Sequence, residues 1–136
     1  MTLSDYFEVT KFMNKKDYKL AEKGVGFIVP GTDALASISL DEPIQYVALL
    51  QYIENEARAN HYHRVKLEYV AVLNGKLGCI LHLPDEPDNK IERILEAGSM
   101  IKIRPGCVHI FTALNGNATA LELSPQKLDL SDQIHI

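Results

Sequence analysis

The sequence predicts an all-β protein of sandwich or barrel type, and three observations support this prediction. From Gly24 onward, short runs of apolar and β-branched residues alternate with pairs of turn-forming residues such as Pro30-Gly31 and Asn74-Gly75. The turn signals recur at the spacing that is typical of sheets built from short strands. No segment of convincing length shows the periodicity of an amphipathic helix.

The composition is that of one soluble globular domain. At 136 residues the chain is long enough to bury roughly two thirds of its unfolded surface. A content of 46% hydrophobic and 24% charged residues argues against disorder. The net charge of -4 argues against a nucleic-acid partner, because neutralising phosphates requires a basic face. With neither a signal-peptide core nor a stretch of membrane-spanning length, we expect a cytosolic protein without a membrane partner.

The elements of the N-terminal third have the weakest signals. Residues 7–12 alternate weakly and suit a strand, and residues 15–23 suit a turn or two of helix. Strands are predicted over 25–29, which is apolar, and over 34–40, which alternates apolar and polar residues. The nearly continuous apolar run 44–53 predicts a strand that is buried on both faces or passes between two sheets.

The strands of the second half are predicted to be joined by tight turns. A strand over 68–73 is followed by Asn74-Gly75, the strongest short hairpin signal, and the chain returns over 76–83. Asn115-Gly116 marks a second hairpin. The polar tail 125–136 is expected to cover the barrel edge or to pair with a second subunit. Further strands are predicted over 90–95, 100–103, 108–114 and 118–123.

Four residues have the chemistry and the spacing of a metal site. In a strand, the alternation of His61 and His63 places both imidazoles on one face. Glu68 has the opposite parity and joins that face only if the chain bends over 64–67, and His109 follows a Pro-Gly turn on a later strand. Three imidazoles and a carboxylate leave positions open for an exogenous ligand and suit Fe, Mn, Ni, Zn or Cu. We therefore expect one divalent metal ion per chain.

These spacings resemble the two motifs of the cupin superfamily. The first motif, a His-x-His pair, three or four residues, a Glu, six residues and a Gly, fits with no gap, although Asn55 stands where a Gly is expected six positions before the first His. In the second, Arg104 stands where a Pro is usual and Ala113 where an Asn is usual. The resemblance covers residues 44–123, between an N-terminal segment 1–43 and the tail 124–136, and implies a jelly-roll barrel with a metal at its mouth. The matching residues are His61, His63, Glu68, Gly75, Gly98, Gly106 and His109.

The residues before the first motif indicate a substrate class. Arg58-Ala59-Asn60-His61 is similar to the Arg-Gly-x-His segment of sugar-nucleotide epimerase and ketoisomerase cupins, with Ala59 in place of Gly. The resemblance implies a homodimeric isomerase or epimerase of a sugar or sugar-phosphate-like carbonyl compound, with metal-assisted proton transfer. Arg58 would hold an anionic group of this small-molecule substrate. Glu68 would complete the metal shell or act as the base.

Three alternatives remain open from the sequence. A non-haem iron dioxygenase needs the same three His and one carboxylate. A metal-free pocket, as in some cupin-like sugar epimerases, would use a His as base. A barrel that binds a small molecule without catalysis is the third.

Cys79 and Cys107 are expected to be reduced and buried, although Cys107 can share the face of His109. Secondary candidates for the site are Tyr46, Tyr52, Glu54, Glu56, His82, Arg104 and Glu122.

Overall fold

The structure, a computed structural model, describes residues 1–11 and 43–136. The segments predicted over 15–23, 25–29 and 34–40 lie outside the described residues. Short 3₁₀ turns cover Leu3–Asp5 and Leu130–Asp132. The strands are β1 (Phe7–Lys11), β2 (Tyr46–Tyr52), β3 (Ala57–His63), β4 (Glu68–Asn74), β5 (Lys76–His82), β6 (Ile91–Glu96), β7 (Ser99–Ile103), β8 (Val108–Ala113), β9 (Ala118–Ser124) and β10 (Gln133–His135).

The strands form two antiparallel sheets, which confirms the predicted all-β jelly roll. Among the described residues, one sheet contains five strands in the order β1-β7-β4-β9-β2, and the other contains five in the order β10-β3-β8-β5-β6. The strands β1 and β10 lie outside the 44–123 range, and each occupies one end of a sheet. Within the described ranges, no helix is long and apolar enough to span a membrane.

Both Asn-Gly turns connect strands that belong to different sheets, so the two predicted Asn-Gly hairpins are wrong. Asn74-Gly75 joins β4 of the first sheet to β5 of the second, and Asn115-Gly116 joins β8 to β9 in the reverse direction. The two positions beside β4 are taken by β7 and β9, so β5 pairs with β6 and β8 instead. Gly75 has a φ of +81°, and a Cβ there would lie 2.6 Å from the carbonyl oxygen of Asn117. The two turns therefore pack against each other at one corner.

The strand β2 has only one buried face, which corrects the expectation of a strand buried on both faces. It is the last strand of its sheet in the described part of the chain and pairs with β9. The side chains of Val47 and Leu49 are 61% and 69% exposed, whereas Tyr52 is 2% exposed. The apolar run is continuous because outward-facing positions also carry apolar residues.

The hydrophobic core lies between the two sheets. Cys79 and Cys107 belong to it as free thiols with 1% or less of their surface exposed, as expected for small apolar residues. Alternate residues of the inner strands point into this core. Its other buried members are Leu3, Tyr52, Val70, Val72, Leu77, Leu81, Leu95, Ile101, Ile103, Phe111, Ala113, Ala118 and Ala120.

The C-terminal tail lies along the edge of the second sheet in its own chain. The strand β10 pairs antiparallel with β3, and the register places Gln133 opposite His63 and His135 opposite His61. Of the two expectations for the tail, covering a barrel edge is the one observed. This pairing brings the last residues beside the strand that carries the His-x-His pair.

Candidate functional site

The four side chains predicted to bind metal come together at the inner surface of the barrel. Their candidate ligand atoms all lie within 4.8 Å of one another. His61 is the central ring, with its centroid 4.7 Å from that of His63 and 4.8 Å from that of His109. Glu68 and the rings of His63 and His109 are buried, while His61 is partly exposed.

The backbone reaches this arrangement through one irregularity and one bend. The pairing of β3 with β8 shifts register between Ala59 and His61, and Ala59 and Asn60 have φ angles of 76° and 57°. Positive φ is costly for residues other than Gly, Asn and Asp, so the bulge at Ala59 is a strained feature beside the site. Beyond the bulge, His61 pairs directly with His109. The bend predicted over 64–67 carries the chain to the opposite sheet and turns Glu68 toward the histidines.

The hydrogen bonds of the cluster leave its inner atoms without partners. A backbone carbonyl only accepts, so His109 donates from Nδ1 to the oxygen of Cys107 at 3.1 Å and directs the lone pair of Nε2 inward. That Nε2 lies 2.8 Å from Oε2 of Glu68. Among the described residues, no hydrogen-bond partner is found for His61 Nδ1, for either ring nitrogen of His63, for Glu68 Oε2 or for His109 Nε2. Buried polar atoms without partners are costly, and a cation bound in the cluster would satisfy those that present a lone pair to it.

The charge states of His61, His63 and Glu68 suit a metal ion. Burial, with a smaller contribution from His109, lowers the pKa of His61 to about 4, and burial also lowers the pKa of His63. Burial raises the pKa of Glu68, but His109 and the hydrogen bond from Glu122 outweigh it, so the pKa lies well below the ordinary value. Neutral imidazoles and an ionised carboxylate are the forms that bind metals. The residues therefore fit a divalent ion.

A second buried charged group adjoins the cluster. Lys66 Nζ lies 2.5 Å from Oε1 of Glu122 and 3.8 Å from Oε1 of Glu68, and 4.3 Å from the ring centre of Tyr46. Burial and the neighbouring Glu68 raise the pKa of Glu122 to about 8, so the two carboxyl groups share one proton near neutral pH. The sequence left open which face of its strand Glu122 occupies. In the structure its side chain is buried and lines the cavity beside the cluster.

A cavity of about 270 Å³ opens beside the cluster. Its wall carries two cations, two carboxyl groups, two phenols and a set of apolar side chains, three of its residues coming from the C-terminal tail. The guanidinium of Arg58 lies over the ring of Tyr52, with 5.5 Å between its central carbon and the ring centre. The lining residues are Tyr46, Leu50, Tyr52, Arg58, Ala59, His61, Lys66, Glu68, Phe111, Glu122, Leu128, Leu130 and Gln133.

Several other candidates from the sequence lie elsewhere. His82 is buried, with Nδ1 2.8 Å from the carbonyl oxygen of Leu83, and it does not join the cluster. Arg104 lines a different, smaller cavity. Glu54 and Glu56 are exposed. Burial raises the pKa of the Cys107 thiol to about 12, so the site gains a carbonyl contact from this residue and not a thiolate.

Sequence reasoning missed two residues of the site. Lys66, in the loop between His63 and Glu68, was not singled out from the sequence, and it is buried. Asp132 of the tail brings Oδ2 to 3.4 Å from Nδ1 of His63. Neither belongs to a motif, and no local signal could have identified them.

The two antiparallel sheets are those of the cupin jelly-roll fold. No protein-family model matches the sequence, and no curated protein matches it. Several solved structures match this chain. QdtA, a sugar 3,4-ketoisomerase from Thermoanaerobacterium thermosaccharolyticum solved with TDP, has 19% identity over 96% of this chain and 88% of its own, with a TM-score of 0.71.

Two further structures resemble a smaller part of the chain. The capsular polysaccharide assembling protein CapF from Staphylococcus aureus has 19% identity over 70% of this chain, with a TM-score of 0.63, and the match spans 29% of CapF. ChmJ, a 3'-monoepimerase from Streptomyces bikiniensis solved with dTDP-quinovose, has 14% identity over 69% of this chain and 52% of its own, with a TM-score of 0.61. At these identities the similarity establishes the fold.

Proposed function

We propose that this protein is an isomerase or epimerase of a sugar or sugar-phosphate-like carbonyl compound and uses one divalent metal ion. His61, His63, Glu68 and His109 would hold the ion. The observation that carries the proposal is the cavity, which joins this cluster to a second carboxyl group and to a guanidinium. The similar structures include a ketoisomerase and a monoepimerase, which agrees with the proposed reaction class.

Arg58 would orient the substrate through an anionic group. Its guanidinium is on the cavity wall and exposed, and it stacks on Tyr52. A planar guanidinium binds phosphate or carboxylate by two parallel hydrogen bonds. A nucleotide-linked sugar is therefore the first class of substrate to examine, and QdtA and ChmJ were solved with TDP and dTDP-quinovose.

Glu122 would carry the proton in this reaction. It lines the cavity but is not one of the four clustered residues, whereas Oε2 of Glu68 faces His109 and His63. In its ionised form, the minor form near neutral pH because burial and Glu68 raise its pKa to about 8, Glu122 accepts the proton from the carbon beside the carbonyl. The C–H electron pair forms the enediolate double bond, and the carbonyl oxygen takes the negative charge. Return of the proton to the former carbonyl carbon, with transfer of the hydroxyl proton of the donor carbon to the enediolate oxygen, completes an isomerisation. Return of the proton to the opposite face of the donor carbon completes an epimerisation.

Other charged groups of the cavity would support this transfer. The ammonium of Lys66, 2.5 Å from Glu122, balances the charge of the carboxyl pair. When bound, a divalent ion supplies Lewis acidity to the substrate oxygens on which charge develops. In this scheme Glu68 remains one of the four clustered residues. A comparison of Glu122→Gln with Glu68→Gln distinguishes this scheme from one in which Glu68 is the base.

The experiment is deuterium incorporation into TDP-4-keto-6-deoxyglucose in D₂O under argon, followed by mass spectrometry and proton NMR. We expect deuterium beside the carbonyl with protein loaded with Zn²⁺ or Mn²⁺, and none after treatment with EDTA. Exchange that survives EDTA would contradict the metal role and support a metal-free base. No exchange with this sugar or with a panel of keto sugars and their phosphates would contradict the reaction class. Oxygen consumption with ferrous iron would favour a dioxygenase.

We also propose that the protein is a single-domain, cytosolic homodimer. The support is the outer face of β2, the last strand of its sheet among the described residues, where Val47 and Leu49 are more than half exposed, as is Ile53 just beyond the strand. Burying such apolar surface between two copies would stabilise a dimer. Sedimentation equilibrium showing a monomer at micromolar concentration would contradict this assembly.

A further inference from the structure

The carboxylate of Asp132 reaches the cluster from the C-terminal tail. Its Oδ2 lies 3.4 Å from Nδ1 of His63, while Nε2 of the same ring faces Glu68 Oε2 at 3.8 Å. The first separation exceeds the about 2.7–3.2 Å of a formed hydrogen bond, so Asp132 presents an oriented negative charge to the outer side of the ring. The ring thus lies between two carboxylates, one in the cluster and one behind it.

Asp132 is held in this position by the loop that separates two of the clustered residues. Its Oδ1 accepts hydrogen bonds from the backbone N–H groups of Arg64 at 3.1 Å and Val65 at 2.9 Å, and its Oδ2 accepts one from Lys66 at 3.1 Å. Burial raises the pKa of Asp132, but these three bonds outweigh it and keep the pKa below the ordinary value. The same carboxylate therefore fixes the 64–67 loop and faces His63.

The tail itself has a defined conformation at this point. Asp132 ends the 3₁₀ turn Leu130–Asp132, whose first residue is preceded by Asp129. The side chain of Asp129 accepts hydrogen bonds from the backbone and hydroxyl of Ser131 at 3.0 Å and 2.6 Å. The strand β10 then pairs with β3. The ordered turn and the pairing of β10 with β3 thus place Asp132 beside His63.

We propose that Asp132 is a positioning residue for the metal centre, supplied by the C-terminal tail. It favours the His63 tautomer that carries its proton on Nδ1 and leaves the Nε2 lone pair directed at the cluster. His109 obtains the same result from the carbonyl of Cys107. For His63, no hydrogen bond to Nδ1 is formed among the described residues, so the nearby charge of Asp132 favours the proton on this atom. The inference rests on the proposed metal centre, because carboxylates behind ligating histidines tune metal affinity.

The test compares Asp132→Asn with Asp129→Asn in the full chain. Asparagine keeps an oxygen for the N–H groups of Arg64 and Val65 but loses the charge that faces His63. Asp129 lies in the same turn and is not one of the clustered residues, so its variant is the matched control. One readout is the ¹⁵N NMR tautomer state of His63 in the metal-free protein. The other is Zn²⁺ affinity, measured by competition with a chromophoric chelator.

We expect Asp132→Asn to lower the Nδ1-protonated fraction of His63 and to weaken Zn²⁺ binding by about 10–100-fold. Asp129→Asn should change neither. An unchanged tautomer and unchanged Zn²⁺ affinity would overturn the role of Asp132 while leaving the metal centre intact. If the parent protein binds no Zn²⁺, the proposed metal centre fails, and the tautomer measurement still decides whether Asp132 orients His63. Should Asp132→Asn not fold, Asp132→Glu retains the charge, and a tautomer unlike that of the parent would overturn the inference.

Discussion

His109 Nε2 and Glu68 Oε2 lie 2.8 Å apart although the two residues belong to opposite sheets. Because Nδ1 of His109 already donates to Cys107, the contact brings a lone pair against an ionised carboxylate unless a proton or a metal ion lies between them. The pair forms only when the two sheets close on each other. The site is therefore a product of barrel closure, and its chemistry depends on what cation joins these two atoms.

Replacement of Arg58 by Met is expected to raise the KM for a phosphate-bearing substrate by about 10–100-fold, because one charge-assisted hydrogen-bonding group is lost. The kcat should change little, since Arg58 contacts the bound group in both the ground state and the transition state. Steady-state kinetics with the active sugar checks this. Arg104→Met is the matched control, because Arg104 lines a different cavity. Equal KM values for the two variants would contradict the assignment.

Replacement of Glu122 by Gln is expected to lower kcat by about 10²–10⁴-fold, the usual contribution of a positioned acid or base. The metal content should stay at the parent level, because Glu122 is not one of the four clustered residues. Glu54→Gln, at an exposed position, is the control. If Glu122→Gln keeps full activity while Glu68→Gln retains metal but loses turnover, then Glu68 is the base and the proton-transfer scheme is wrong.

The stability of the metal-free protein should fall as the pH drops from about 6.5 to about 4. Burial lowers the pKa of His61 from 6.5 to about 4, so in this window the unfolded chain binds a proton that the folded chain does not. The free energy of unfolding therefore decreases with decreasing pH. Urea unfolding at several pH values in EDTA measures it, and His61→Asn should show a shallower decrease. Identical slopes for parent and variant would show that His61 is not held neutral by burial.

The motif residues could be located from the sequence because their placement follows from local geometry. Strand alternation puts His61 and His63 on one face wherever β3 packs, and the required bend over 64–67 is present. The inward position of Glu122 needed more, because strand parity leaves two faces equally open. The packing of the sheet that contains β9 against the other sheet decides between them.

The strand partners and the outer part of the site depend on distant contacts. Asn74-Gly75 specifies a tight turn, but the pairing of β4 with β7 and β9 decides that the next strand joins the other sheet. Lys66 bonds to Glu122 and Asp132, residues 56 and 66 positions away. No local pattern encodes such separations. The exposed face of β2 could not be inferred for a similar reason, since apolar content alone does not show which side is covered.

Metal analysis of the protein purified without an affinity tag or chelator tests the central claim most directly. The parent should contain close to one divalent ion per chain, by elemental mass spectrometry, as isolated or after reconstitution. A His61→Ala, His109→Ala double variant should contain none, because two of the four clustered ligands are lost. A parent protein that takes up no metal, or a double variant that retains it, would contradict the account.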